Sequence, residues 1–187
     1  KFYGINRDIS YIDNTITPTP ICFPKGTLVT TDQGDIVIEK INPDIHTIRK
    51  KRIVAITQSQ PLHTYIVSIE KDALGQNIPC ITTQISKEHK LYYKGKMLKA
   101  KELVDLCKNV KKIPYTGEIL YNVLLEKHEK MMVNNLICET LHPDNIMARI
   151  HNGNYNAVEK SNIYKKLRIL IESGDMTEYN KFYTSLR

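Results

Sequence analysis

The sequence has no tryptophan, only three phenylalanines, and no apolar run approaching the roughly 18 residues that cross a bilayer as a helix. No membrane span is therefore expected, and no secretory signal pattern stands at the front. The four cysteines, Cys22, Cys80, Cys107 and Cys138, form no CxxC or CxxxxC pair. That argues against a structural zinc site, and neither metal nor other cofactor is expected. A reducing intracellular compartment suits such thiols, with a virion as the other setting. Charge of one sign does not dominate: 27 basic residues against 20 acidic leave +7, with a pI near 9.1. The excess lies in short runs, Arg49-Lys50-Lys51-Arg52 and Lys108 with Lys111-Lys112. They lack the interleaved aromatics on which bases stack, so nucleic acid is disfavoured and the runs read as solvated loops.

What is present is the composition of a folded protein. Hydrophobic residues make up 41% and charged residues 25%, which excludes global disorder. At 187 residues and 21.6 kDa, one domain with tails is the expectation, large enough for a core without disulfides. The chain starts at Lys1 rather than Met, as expected of a fragment or a processed product. Abundant Lys, Ile, Asn and Tyr point to AT-rich coding, not to chemistry.

Residues 1–21 read as extended, because Thr17-Pro18-Thr19-Pro20 forbids regular helix. From Gly26 short β-runs follow one another: Thr27 to Thr31, Asp35 to Ile38, Arg52 to Thr57, His63 to Ile69, Ile78 to Ile85, Lys90 to Tyr93, Met97-Leu98, Ile119 to Leu125 and Met131 to Cys138. Ala100 to Leu106 reads as a short helix. Leu28-Val29, a turn at Gly34, Ile36-Val37-Ile38 and Ile41 are echoed by Leu91-Tyr92, a turn at Gly95, Met97-Leu98 and Leu103. Two similar halves would make a pseudo-two-fold β-fold, although two hairpins can resemble each other by chance. After His142-Pro143 the pattern turns helical. Ala157 to Ser173 forms one helix ending at Gly174, and Asp175 or Thr177 caps another through Leu186. This tail either packs on the β-body or docks to a partner.

Cys22 begins a new module, Cys22-Phe23-Pro24-Lys25-Gly26-Thr27-Leu28-Val29, directly after the Pro-rich segment. A thiol there, with histidines at the ends of later strands, suits nucleophilic attack on a peptide. A free thiol ionises near pH 8.5, so it needs a base or a charge beside it. The block from Cys22 to Gly34 resembles the first block of Hint modules, the autoprocessing fold shared by Hedgehog C-terminal domains and inteins. Ser86-Lys87-Glu88-His89 resembles their Thr-x-x-His block, and Leu91 through Gly95 to Leu103 continues the match. Tyr121 to Leu125, His128 and the turn Val133-Asn134-Asn135-Leu136-Ile137 resemble the closing strand pair. The ending Glu139-Thr140-Leu141-His142-Pro143 is similar to that of Hint modules of large DNA viruses and protists.

The resemblance implies an all-β, pseudo-two-fold β-disk shaped as a horseshoe, with a short C-terminal helical appendix. It divides the chain into an upstream flank (1–21), a Hint body (22–145) and a helical extension (146–187). It implies that Cys22 attacks the carbonyl of Ile21 and gives a thioester by N-to-S acyl shift. His89 protonates the departing amide nitrogen, and Ser86, with the hydroxyl of the family's Thr, bonds near the same carbonyl or positions His89. Water, a small thiol or an alcohol then accepts the upstream polypeptide, which is the module's own substrate. Inteins end in His-Asn, whose asparagine cyclises; here those positions read Glu139-Thr140, so N-side cleavage without splicing is implied, as in Hedgehog proteins. The stretch after Pro143 is too short and polar to carry over a sterol acceptor. His128 and Asn122 stand where the closing block supplies polar assistance. Asn122 replaces an Asp of several members, which removes a general base.

The residues allow plainer readings. His89 could be a strand-end histidine satisfied by backbone bonds, and His128 among Lys127, Glu129 and Lys130 reads equally as part of a solvated turn. Cys80, Cys107 and Cys138 read as buried inert thiols. A retired Hint fold, kept as a packing module against structural protein partners, is the alternative function. A basic nucleic-acid-binding module ranks third.

Overall fold

The computed structural model describes residues 21–186, so the extended reading of residues 1–20 lies outside the described residues. Its β-runs form thirteen strands: β1 (Phe23–Pro24), β2 (Leu28–Thr31), β3 (Gly34–Val37), β4 (Thr47–Ile48), β5 (Lys51–Ser59), β6 (Tyr65–Ile69), β7 (Thr83–Ile85), β8 (Lys90–Tyr93), β9 (Lys96–Lys99), β10 (Val110–Pro114), β11 (Leu120–Leu125), β12 (Lys130–Val133) and β13 (Leu136–Glu139). They make a six-stranded sheet in the order β3-β2-β12-β13-β8-β9, a four-stranded sheet β1-β11-β5-β4 and a three-stranded sheet β10-β6-β7. All neighbouring strands in these sheets run antiparallel. This is the mostly-β architecture that the sequence implied.

The internal echo is visible in the six-stranded sheet. The β12–β13 hairpin lies in the middle, with the β2–β3 hairpin on one side and the β8–β9 hairpin on the other. Each outer hairpin leads into a short helical step: a 3₁₀ turn at Ile38–Lys40 and helix α1 (Ala100–Leu106). The central hairpin turns on Asn134 and Asn135, both at positive φ (47° and 66°). That is a primed turn, which asparagine tolerates better than other side chains. The β8–β9 turn does the same with Lys94 at φ 46° and Gly95 at φ 85°.

Three local expectations are corrected. The run Ile78 to Ile85 is strand only over β7, because Pro79 cannot donate to a ladder and the chain before Thr83 turns repeatedly, with Asp72 and Asn77 at positive φ. Cys80 lies in that irregular stretch and is half-exposed, unlike buried Cys107 and Cys138; all four thiols are free. Lys111 and Lys112, read as loop, lie on β10, an outer strand that pairs only β6 and turns Val110 inward while both lysines face water.

Two hydrophobic cores result. The first fills the disk with Phe23, Val29, Ile38, Ile53, Leu91 and Leu103 among others, all fully buried. The second lies under three C-terminal helices, α2 (Ile146–Asn152), α3 (Ala157–Ser173) and α4 (Met176–Ser185). It joins Ile146, Ile150, Leu167 and Tyr179 to Ala55 of β5 and Leu124 of β11. The tail therefore packs on the β-body. Gly174 ends α3 at φ 71° and Asp175 accepts from the Glu178 N–H at 2.9 Å, as the sequence implies; the start of α3 is capped by Asn156, which accepts from the Glu159 N–H at 3.0 Å. Helix α2 has its own cap, Asn145, and was not separated in the sequence pattern. No helix among the described residues is long and apolar enough to cross a membrane.

Candidate functional site

Strand β1 pairs β11 with Phe23 opposite Tyr121 and Pro24 opposite Leu120. One residue back along that register, Cys22 arrives beside Asn122, so a two-residue strand is enough to present the Ile21–Cys22 peptide to β11. From the other side comes the turn after β7. The Cys22 N–H donates to Ser86 Oγ at 2.8 Å, and the Ser86 N–H donates to the Cys22 carbonyl at 3.0 Å. Ser86 thus grips the main chain of Cys22 at both polar atoms. The bond from its hydroxyl goes to the amide nitrogen of the Ile21–Cys22 peptide rather than to the Ile21 carbonyl.

That carbonyl has its own partner. Asn122 Nδ2 donates to the Ile21 oxygen in a short hydrogen bond. The Val123 N–H donates to Asn122 Oδ1 at 2.7 Å, which fixes which end of the amide is oxygen and turns the NH₂ toward Ile21. Asn122 is fully buried, so the pairing is shielded from competing water. The Ile21 side chain packs against the second core.

His89 follows Ser86 by one turn, with its N–H on the Ser86 carbonyl at 3.1 Å, and α1 holds that turn by donating from Ala100 N–H to the His89 oxygen and from Lys101 N–H to the Lys87 oxygen, each at 2.9 Å. The imidazole is fully buried, its ring 4.4 Å from that of Phe23. His89 Nε2 lies 2.9 Å from the Glu139 main-chain oxygen. A carbonyl can only accept, so Nε2 carries the proton in the neutral ring and Nδ1 presents a lone pair. Nδ1 is buried and makes no hydrogen bond, although the Cys22 main chain lies close enough to act on it electrostatically. Burial holds the His89 pKa below the ordinary imidazole value, and the Glu139 charge works against that shift.

The Cys22 thiol is buried beneath this arrangement, 3.0 Å from Ser59 Oγ. Burial pushes it up to about 12, with the Ser59 hydrogen bond pulling the other way. Ser59 was missed in the sequence. The signal was available: Ile53, Ala55, Thr57 and Ser59 share one face of β5, and a strand face that changes from apolar to hydroxyl marks a polar region inside.

His128 does not join the group around Cys22. Its Nε2 meets Glu139 Oε2 at 3.2 Å, its ring lies 5.0 Å from that of His142, and its side chain is 35% exposed. Glu139, also missed, stands between the two histidines. Its side chain is only 5% exposed, and Oε1 accepts the Lys90 N–H at 2.9 Å. Burial works to raise its carboxyl, but the His128 hydrogen bond and the neighbouring charge outweigh that and hold it below the ordinary range. A cavity of ≈ 310 Å³ reaches Glu139 and His128 past Arg49, Lys90 and Lys130. No group of three or more His, Cys, Asp or Glu that could hold a metal occurs among the described residues.

The family model described as "Hint domain" matches residues 21–145. The fold is also similar to two solved structures. One is the DnaB intein from Synechocystis sp. PCC 6803, with 10% identity over 65% of this chain and 99% of that one, at a TM-score of 0.45. The other is the Ssp DnaB mini-intein variant M86, with 11% identity over 64% of this chain and 94% of that one, at a TM-score of 0.44. No curated protein matches.

Proposed function

The chain belongs to the Hint domain family, and from that premise we propose that it is a self-processing module that breaks the Ile21–Cys22 peptide bond by N-to-S acyl shift, without splicing at its C-side. The observation that carries the reading is the grip on one peptide from two sides, Asn122 on its carbonyl and Ser86 on its N–H, with His89 one turn after Ser86 and next to the Cys22 main chain. In this reading residues 1–21 are the upstream flank, 22–145 the processing body and 146–187 the helical extension.

Cys22 Sγ forms a bond to the Ile21 carbonyl carbon, and the carbonyl oxygen gains negative charge that the Asn122 NH₂ stabilises. The thiol proton passes to the lone pair on His89 Nδ1. The resulting imidazolium returns it to the amide nitrogen, the C–N bond breaks, and Cys22 is left with a free amine and a thioester. Ser86 holds the amide N–H, which keeps the nitrogen facing His89 as it turns tetrahedral. Attack by water, a small thiol or an alcohol on the thioester releases residues 1–21 and restores the thiol. At the other end, Thr140 has no amide to cyclise, which makes the module Hedgehog-like in cleaving on one side only.

A second reading has one observation in its favour: the thiol is pushed up to about 12 and bound to Ser59, as in a fold retained for packing. The test is the intact mass of the purified chain after incubation with and without dithiothreitol or hydroxylamine, beside Cys22→Ala. A thiol-dependent fragment beginning at Cys22, absent in the variant, is the expected result. A full-length mass under every condition would leave the packing module as the function.

A further inference from the structure

Glu139 is a buried carboxylate to which the acyl shift above assigns no part, yet it bonds to His89, to the residue after it and to His128. Its main-chain oxygen takes the His89 Nε2–H at 2.9 Å, its Oε1 takes the N–H of the next residue, Lys90, at 2.9 Å, and its Oε2 meets His128 at 3.2 Å. The bond to Lys90 does in side-chain form what the ladder between β13 and β8 does one residue further on, where Cys138 pairs with Leu91. One residue thus fixes both the ring and the backbone of His89.

We propose that Glu139 is a positioning residue for His89. Its main-chain oxygen sets the tautomer that turns the Nδ1 lone pair to Cys22, and its clamped carboxylate is the countercharge for the imidazolium formed when the thiol proton arrives. This rests on His89 being the proton carrier of the acyl shift. The physical case is the site's dryness. An imidazolium formed in a ring with no solvent exposure has no water to stabilise it, so a fixed negative charge nearby sets how easily it forms. Other charged and titratable groups around Glu139 are Lys90 of β8, Lys130 of β12, Arg49 before β5, and Glu129 and His128 before β12. Glu129 is engaged by Lys51, and His142 stacks on His128, so Glu139 is the acidic group that addresses both histidines.

The test is Glu139→Gln, which keeps an acceptor for the Lys90 N–H and removes the charge, with Glu139→Asp as the variant that keeps the charge. His89 is titrated by NMR in a Cys22→Ala background, where cleavage plays no part, so the measurement stands whether or not the wild-type chain cleaves. The expected result is a His89 midpoint about half a pH unit or more lower in Glu139→Gln, close to wild type in Glu139→Asp. In the cleaving background, Glu139→Gln loses about tenfold in the thiol-induced rate, and the Asp variant recovers most of it. An unchanged His89 midpoint in folded Glu139→Gln overturns the proposal. So does a Glu139→Asp midpoint as low as that of the Gln variant, because a merely structural role would treat the two alike. Absence of cleavage in wild type with a shifted midpoint sinks the acyl shift and leaves the electrostatic link standing.

Discussion

The two ends of the Hint body are furnished differently. At the N-side, the Ile21–Cys22 peptide is met by side-chain groups on both of its polar atoms: Asn122 on the oxygen, Ser86 on the N–H. At the C-side, the Glu139–Thr140 peptide has a side chain on its oxygen only, the His89 imidazole at 2.9 Å, and main chain on its N–H. The Thr140 N–H donates to the Glu129 oxygen at 2.9 Å, and the Thr140 hydroxyl accepts from the Glu129 N–H at 2.9 Å and donates to its oxygen at 3.2 Å. The next residue, Leu141, donates to the Val123 oxygen at 2.8 Å and enters the second core. Side chains aimed at a peptide bond stabilise charge that develops there. Main-chain bonds around a junction stabilise the strand that runs through it. In the proposed reading the first junction is the one that reacts, and the second, with its N–H held by the Glu129 oxygen, continues the chain into the second core.

If that contrast is right, the largest effect after loss of the nucleophile belongs to His89. His89→Ala should slow thiol-induced cleavage by about 10²- to 10⁴-fold near neutral pH. The pH profile sharpens the point. In wild type the reacting state holds a thiol and a neutral imidazole, so the rate stays level as pH rises, up to the thiol's own titration near 12. It falls only when acid protonates Nδ1, and because burial lowers the His89 pKa that fall begins below the ordinary imidazole midpoint. Without His89 the thiol must ionise to water, and the rate should climb about tenfold per pH unit across the neutral range. Rates of fragment release by mass spectrometry, followed from acid to alkaline pH, separate the two shapes. A wild-type rate that climbs like the variant's would show that His89 takes no proton.

Asn122→Ala comes next. It removes the donor on the Ile21 oxygen and should cost about 10²- to 10³-fold in the same assay. Asn122→Asp distinguishes donor from base: a carboxylate cannot donate to the carbonyl, so the variant should remain slow even though it restores a basic group. Recovery by Asp would reassign the position to proton transfer and blur the contrast between the two junctions.

Much of the fold was legible in the sequence, for identifiable reasons. Ser86 and His89 lie on one local turn, and local spacing survives in a single chain, whereas Cys22, 64 residues from Ser86, was legible only through the resemblance of the block that it begins. The hairpins around Gly34 and Gly95 were legible because turn residues punctuate them. Asn122 was found by position, but its role was not, since the choice between donor and base depends on the Val123 N–H that orients the amide. Ser59 and Glu139 were missed because they reach the site across the fold, Ser59 37 residues from Cys22 and Glu139 50 residues from His89. Strand β10 was missed because its lysines face water on an outer strand, where a charged run and a solvated loop look alike.

The smallest effect belongs to the C-side. Thr140→Val keeps the shape of a side chain that is completely buried and removes its hydroxyl, leaving the Glu129 N–H without its acceptor. The cost should be about 1 kcal/mol of stability, with a fall of about 2–4 °C in Tm, because a half-buried donor left without its acceptor loses only part of its desolvation penalty. The cleavage rate should stay within about twofold of wild type, because no Thr140 atom bonds to Ile21, Cys22 or His89. Calorimetry on the Cys22→Ala chain measures the first quantity, and fragment release from the cleaving chain measures the second. A stability loss with unchanged cleavage is what a strand tie predicts. A cleavage loss larger than the stability loss can explain would mean that the two junctions communicate, through Glu139, which is covalently joined to Thr140 and hydrogen-bonded to His89.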